Sequence, residues 1–168
     1  MKVSVTTAPV VDVKADALVV GLYAEEKKRG EPLLRLDRAT SGQLTEVLEA
    51  EKFQAKAGHV THFHTAGRVG ARRVVVVGLG PRKDTTPEII RRAAAAGLRR
   101  ARDLGARRVA VEVLGDRLPA RQRAHAVVEG AILGTYTFDR YKREKAEKVV
   151  EELLVVEPDG RRAREVRE

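Results

Sequence analysis

The run Arg73-Val74-Val75-Val76-Val77-Gly78-Leu79-Gly80 constrains the fold of this chain more than any other feature. Consecutive β-branched residues are stiff at χ1 and favour extended backbone, so this run is the strongest strand in the sequence. A second run, Asp16-Ala17-Leu18-Val19-Val20-Gly21-Leu22, is also continuously apolar. Strands without a polar face are buried on both sides, as in sheets sandwiched between helices. The covering helices are equally legible. Thr86-Pro87-Glu88 has the form of a helix start, with Thr86 as cap and Pro87 at the first position. Ile90, Ala93, Ala94, Gly97, Leu98 and Ala101 then recur on one helical face, and Gly105 marks the stop. Only 4% of the residues are aromatic and none is Trp, so the core must be built from Val, Leu, Ile and Ala.

The remaining elements fall between these. Met1 to Thr7 alternates like a half-buried strand. Leu33 to Ala50 reads as two short helices split at Ser41-Gly42, with Ser41 the expected N-cap of the second. Val60 to His64 pairs with Arg73 to Gly80 as an antiparallel hairpin, because Gly67 to Arg72 is too short for a crossover. Arg107 to Val113 is a further strand. Pro119 to Gly134 is an amphipathic helix with Val128, Ala131 and Ile132 inward, and Glu151 to Glu157 is a last strand. The fold class is α/β, a mixed sheet of about six strands with helices on both faces. A chain of 168 residues forms one domain, set at 1–157. Residues 158–168, after Pro158-Asp159-Gly160, read as a charged linker or tail.

The net charge is +9, from 33 basic and 24 acidic residues, and the excess is spread along the chain. It reads first as a solvated, Arg-rich surface and second as an attraction to a polyanion such as DNA. The absence of Cys excludes disulfides, thiolate metal sites and a Cys nucleophile. No run approaches the roughly 20 apolar residues of a membrane helix. Met1-Lys2-Val3-Ser4-Val5-Thr6 has no apolar signal-type core. The expected setting is cytoplasmic, with no membrane partner.

No catalytic, cofactor-binding or metal-binding residue is assigned. Gly78-Leu79-Gly80 is half of a dinucleotide fingerprint whose third Gly would fall at Lys83. It reads as a tight strand exit, with a small anion at the helix after Pro87 as the alternative. His59, His62 and His64 cluster without a neighbouring carboxylate, too little for zinc. Ser4 and Ser41 sit in no nucleophile elbow, and Asp16 reads as a strand-entry residue. In Tyr136-Thr137-Phe138-Asp139-Arg140-Tyr141-Lys142, aromatics and cations interleave. Stacking on nucleic acid and packing at a helix end both remain open there.

That stretch, read from Glu129-Gly130-Ala131-Ile132-Leu133-Gly134-Thr135 onward through Lys142, closely resembles the segment that closes the N-terminal domain of leucyl aminopeptidases, also called cytosol aminopeptidases. Further matching segments precede it in order: Ala15 to Val20, Leu36 to Leu44, Phe53 to Gly58, Arg73 to Gly80 and Gly105 to Val111. The resemblance covers about residues 1–156, with local departures at the turns Ser41-Gly42 and Ala57-Gly58. It implies a macro-domain-like fold and a non-catalytic role in assembly or regulation. Catalysis would belong to a separate catalytic domain with two divalent metals, zinc or manganese, and the parent would be a hexamer. No family catalytic or metal-binding residue maps onto this chain. A DNA-binding module and a macro-like binder of a small anionic ligand are the alternatives.

Overall fold

The computed structural model describes residues 1–25, 30–136 and 148–167. Six strands form one sheet in the order β1-β6-β5-β2-β4-β3. The strands are β1 (Lys2–Thr6), β2 (Ala17–Tyr23), β3 (Val60–His64), β4 (Arg73–Gly80), β5 (Arg108–Glu112) and β6 (Glu152–Val156). All neighbours run parallel except the β3–β4 hairpin, in which His62 faces Val75. The helices are α1 (Glu31–Ala39), α2 (Gln43–Ala50), α3 (Pro87–Asp103), α4 (Ala120–Thr135) and α5 (Gly160–Arg167).

The continuous apolar runs bury both faces because successive side chains alternate. Val19, Val75 and Val77 join the α3–α4 side of the core, whereas Leu18, Val20, Val74 and Val76 join the α1–α2 side. All six residues expected on the inner face of α3 are buried. Thr86 Oγ1 accepts the N–H of Ile89 at 3.3 Å, and Gly105 has φ +82° just past the helix end.

Helix α4 packs on α3 through two glycines. A β-carbon at Gly130 would overlap the backbone carbonyl of Arg91, and one at Gly134 would lie 2.6 Å from Ala95 Cα. The two backbones therefore meet directly. This rotates α4 relative to the expectation. Val127 and Ala131 are buried and Val128 is half-buried, while Ile132 is 47% exposed rather than inward.

Two other expectations change. Ser41 does not cap α2. Ser41 and Gly42 both have positive φ, and the cap comes from the preceding helix instead. Asp37 Oδ1 accepts the N–H of Thr45 at 2.9 Å, and Asp37 Oδ2 accepts its hydroxyl at 2.6 Å. The charged segment after Pro158 is helical from Gly160 to Arg167. Ala163 is buried there and Val166 packs against the α3–α4 core. Asp159 starts this helix by accepting the N–H groups of Arg161 and Arg162, which hold its carboxyl below its ordinary value. Among the described residues, no helix is long and apolar enough to cross a membrane.

Candidate functional site

The chain leaves β2 toward α1 and α2 on one face and leaves β5 toward α4 on the other. Adjacent parallel strands whose connections diverge in this way open a crevice at their carboxyl ends, where α/β folds place ligands. Here that crevice has a volume of about 570 Å³, within the range typical of small-ligand sites.

Tyr23, the last residue of β2, stands at its rim. The Tyr23 hydroxyl accepts the N–H of Asp116 at 3.2 Å and donates to Asp116 Oδ1 at 3.4 Å. Arg82 lies 5.2 Å above the Tyr23 ring and pairs with the Asp116 carboxylate. The Thr85 hydroxyl donates to Arg82 O at 2.8 Å and stands 3.3 Å from Tyr23 Oη. This clasp ties the loop after β4 to the loop after β5 across the end of β2.

Deeper in the crevice lie Arg123 and Glu157, each only 6% exposed, the two buried charged side chains among the described residues. Arg123 Nε donates to Leu118 O at 2.9 Å, and its Nη1 donates to Val113 O at 3.0 Å and to Gly115 O. Burial pushes the guanidinium below its ordinary value and the nearby Glu157 carboxylate raises it. An arginine still keeps its proton at neutral pH. Glu157 Oε1 accepts the N–H of Asp159 at 3.1 Å. The start of α4 reaches the same crevice at Ala120, and no side chain caps it.

The residues singled out in the sequence lie elsewhere. A β-carbon at Gly78 would overlap the carbonyl of Lys56. The 55–59 segment hydrogen-bonds on both sides of it, with Gly58 N–H donating to Gly78 O at 3.0 Å and Gly78 N–H to His59 O at 2.8 Å. The chain's own loop, not a phosphate, explains the glycine. His62 faces Arg100, with 3.3 Å between Nδ1 and Nη2, and burial followed by that guanidinium lowers its pKa. His64 is exposed beside Arg73, and His59 lines a separate groove with Arg92 and Arg99. Among the described residues, no three potential ligands gather for a metal. Asp16 Oδ2 accepts the N–H groups of Arg107 and Arg108 at 3.0 and 2.9 Å. Burial opposes its ionisation, but these two donors together with Arg72 and Arg73 prevail and hold its carboxyl below the ordinary value. It joins strand entries, as its place in the sequence suggests. Ser4 is inside β1 and Ser41 is in a turn. Tyr136 is 72% exposed, while Phe138 and Tyr141 lie outside the described residues. Sequence reasoning missed Arg123 and Glu157. The signal was available for Arg123, which falls on the apolar stripe of α4 between Ala120 and Val127.

Comparison with known proteins agrees with this architecture. The family model described as the cytosol aminopeptidase family, N-terminal domain, matches residues 19–145. A probable cytosol aminopeptidase of Alkaliphilus oremlandii (strain OhILAs) is 33% identical over 165 residues, spanning 95% of this chain and 33% of that protein. The chain thus spans about a third of the length of the curated relatives it matches. A mutant tomato leucine aminopeptidase superposes with a TM-score of 0.80 at 22% identity, covering 99% of this chain and 35% of that one. The bottromycin maturation enzyme BotP in complex with Mn gives 0.62 at 30% identity, covering 90% and 29%. A Trypanosoma brucei macrodomain in complex with ADP-ribose gives 0.76 at 14% identity, covering 98% and 67%, a likeness of fold alone. The sheet order, the macrodomain-like architecture and the family match converge, and the chain belongs to the cytosol aminopeptidase family as its N-terminal domain.

Proposed function

We propose that this domain cleaves no peptide itself and serves the assembly or regulation of a metal-dependent leucyl aminopeptidase. The observation that carries the reading is the end of α4. Ile132, Leu133 and Tyr136 are 47%, 62% and 72% exposed, and Val149 nearby in the sequence is 50% exposed. Large apolar side chains left exposed on a charged surface favour a protein partner. They belong to the segment whose sequence most resembles the close of the family's N-terminal domain. The partner is the aminopeptidase catalytic domain, which holds two divalent metals, zinc or manganese, with the parent a hexamer. The BotP structure that matches this chain carries manganese.

The test is hydrolysis of leucine p-nitroanilide with added manganese or zinc. The chain alone should give no turnover, and mixing it with the separately expressed catalytic domain should change that domain's activity or oligomeric state. Metal-dependent turnover by this chain alone would overturn the reading.

A second reading, DNA binding, draws on the groove beside α3. His59, Arg92 and Arg99 line it with no carboxylate among the lining residues. Duplex DNA should then bind with a steep salt dependence, lost in an Arg92→Glu, Arg99→Glu variant. Salt-independent or undetectable binding at low salt removes this reading.

A further inference from the structure

Arg123 and Glu157 pose a physical problem. Buried charges of opposite sign normally close on each other, because each loses several kcal/mol of hydration. These two line one crevice, feel each other's field, and do not form an ion pair. Each is instead held by backbone. Three carbonyls fix the guanidinium through Nε and Nη1, Nη2 has no partner among the described residues, and one N–H holds a single oxygen of the carboxylate. The arrangement is a positive and a negative group that line one crevice, each held in place by backbone rather than by the other.

The surroundings extend each pole. The uncapped start of α4 adds backbone N–H groups and the positive end of a 16-residue helix on the Arg123 side. Glu165, which has no ion pair among the described residues, also lines the crevice and strengthens the negative side. Of the other charged lining residues, Asp116 pairs with Arg82, Glu31 with Arg35 and Arg162 with Asp159, while Glu112 adds to the negative charge felt by Arg123. Leu33, Leu79 and Val156, all buried and apolar, line the same crevice.

We propose that this crevice binds a small zwitterion, a free α-amino acid. Its carboxylate would rest on Arg123 and the start of α4, its ammonium on Glu157, and an aliphatic side chain on Leu33, Leu79 and Val156. A ligand with anionic groups alone would meet Glu157 uncompensated, which disfavours ADP-ribose despite the shared fold. A free amino acid is also what the proposed parent reaction releases, but binding to this chain can be measured whether or not that reading holds.

The experiment is an amide-shift titration of the 168-residue chain with leucine, and in parallel with 4-methylpentanoate, which lacks the amine, 3-methylbutylamine, which lacks the carboxylate, and ADP-ribose. Leucine at millimolar concentration should shift the amides of Gly21, Gly115, Ala120 and Glu157 saturably, with each single-charge analogue roughly tenfold weaker or worse. Glu157→Gln keeps an acceptor for Asp159 and should weaken leucine by a similar factor without weakening 4-methylpentanoate. The analogue series on the unaltered chain decides the matter even if that variant does not fold. No leucine-dependent shift, equal binding of leucine and 4-methylpentanoate, or tighter binding of ADP-ribose would each overturn the proposal.

Discussion

Asp16 shows how one side chain can hold two strands in register. Its carboxylate ties the entry of β2 to the start of β5, in the middle of the sheet. Burial opposes its ionisation, but the two backbone N–H donors and the nearby Arg72 and Arg73 outweigh burial and hold its carboxyl below the ordinary value. The stability it contributes is therefore complete above that ordinary value and is lost as pH falls through the depressed one. Asp16→Asn should cost about 1 kcal/mol near neutral pH, and the difference from the unaltered protein should shrink in acid; urea unfolding at both pH values checks this. Gly78 supplies a second residue-scale prediction. Gly78→Ala forces the 55–57 loop off β4 and should cost about 1–3 kcal/mol, measured by the same unfolding. The role of Asp16 was legible because it sits at the edge of a continuous apolar run; that of Gly78, which reads as a strand exit, was not, because the loop packed on it is remote in sequence. Glu157 was not, because among 24 acidic residues nothing local marks the one that folds inward.

At the scale of elements, the seam between α3 and α4 depends on the absence of side chains at Gly130 and Gly134. Gly130→Val should separate the helices and lower the melting temperature by several degrees, since overpacking costs about 1–3 kcal/mol. A silent substitution would mean that the helices are not in backbone contact. The strands and α3 were readable in advance because periods of 2 and 3.6 are strong over such lengths. The orientation of α4 was not, because its inner face is made mostly of Ala and Gly and includes Arg123, so few large apolar residues mark it. Its direction is set by where α3 allows close approach. Helix α5 was hidden for a related reason. Ala163 and Val166 alone face the core in an otherwise charged segment, and two apolar residues make no period. Removing residues 160–168 should cost about 2 kcal/mol from the lost burial of those two side chains and their helix. A melting curve of the shortened chain unchanged from the original would contradict the docking of α5.

For the whole molecule, the fold was legible and its working surfaces were not. A sheet sandwiched between helices follows from the apolar runs, but a crevice forms only where the chain reverses direction across the sheet, which no local pattern records. The same holds for the apolar end of α4, whose exposure depends on the α3 contact. A double variant, Ile132→Ser with Leu133→Ser, should lower the unfolding midpoint only modestly, since Ile132 is 47% and Leu133 62% exposed, while abolishing co-purification with the catalytic domain. Retained co-purification would place the interface elsewhere. The closure of the sheet carries a different consequence. Strand β1 pairs only with β6, from Lys2 against Glu152 to Thr6 against Val156. Within this domain, β1 thus cannot pair until β6 has been made and folded beside it. Contacts so far apart in the chain slow folding. Until then, the opening residues form a loose strand with unpaired edges, the stretch of this domain that a chaperone or a protease meets first.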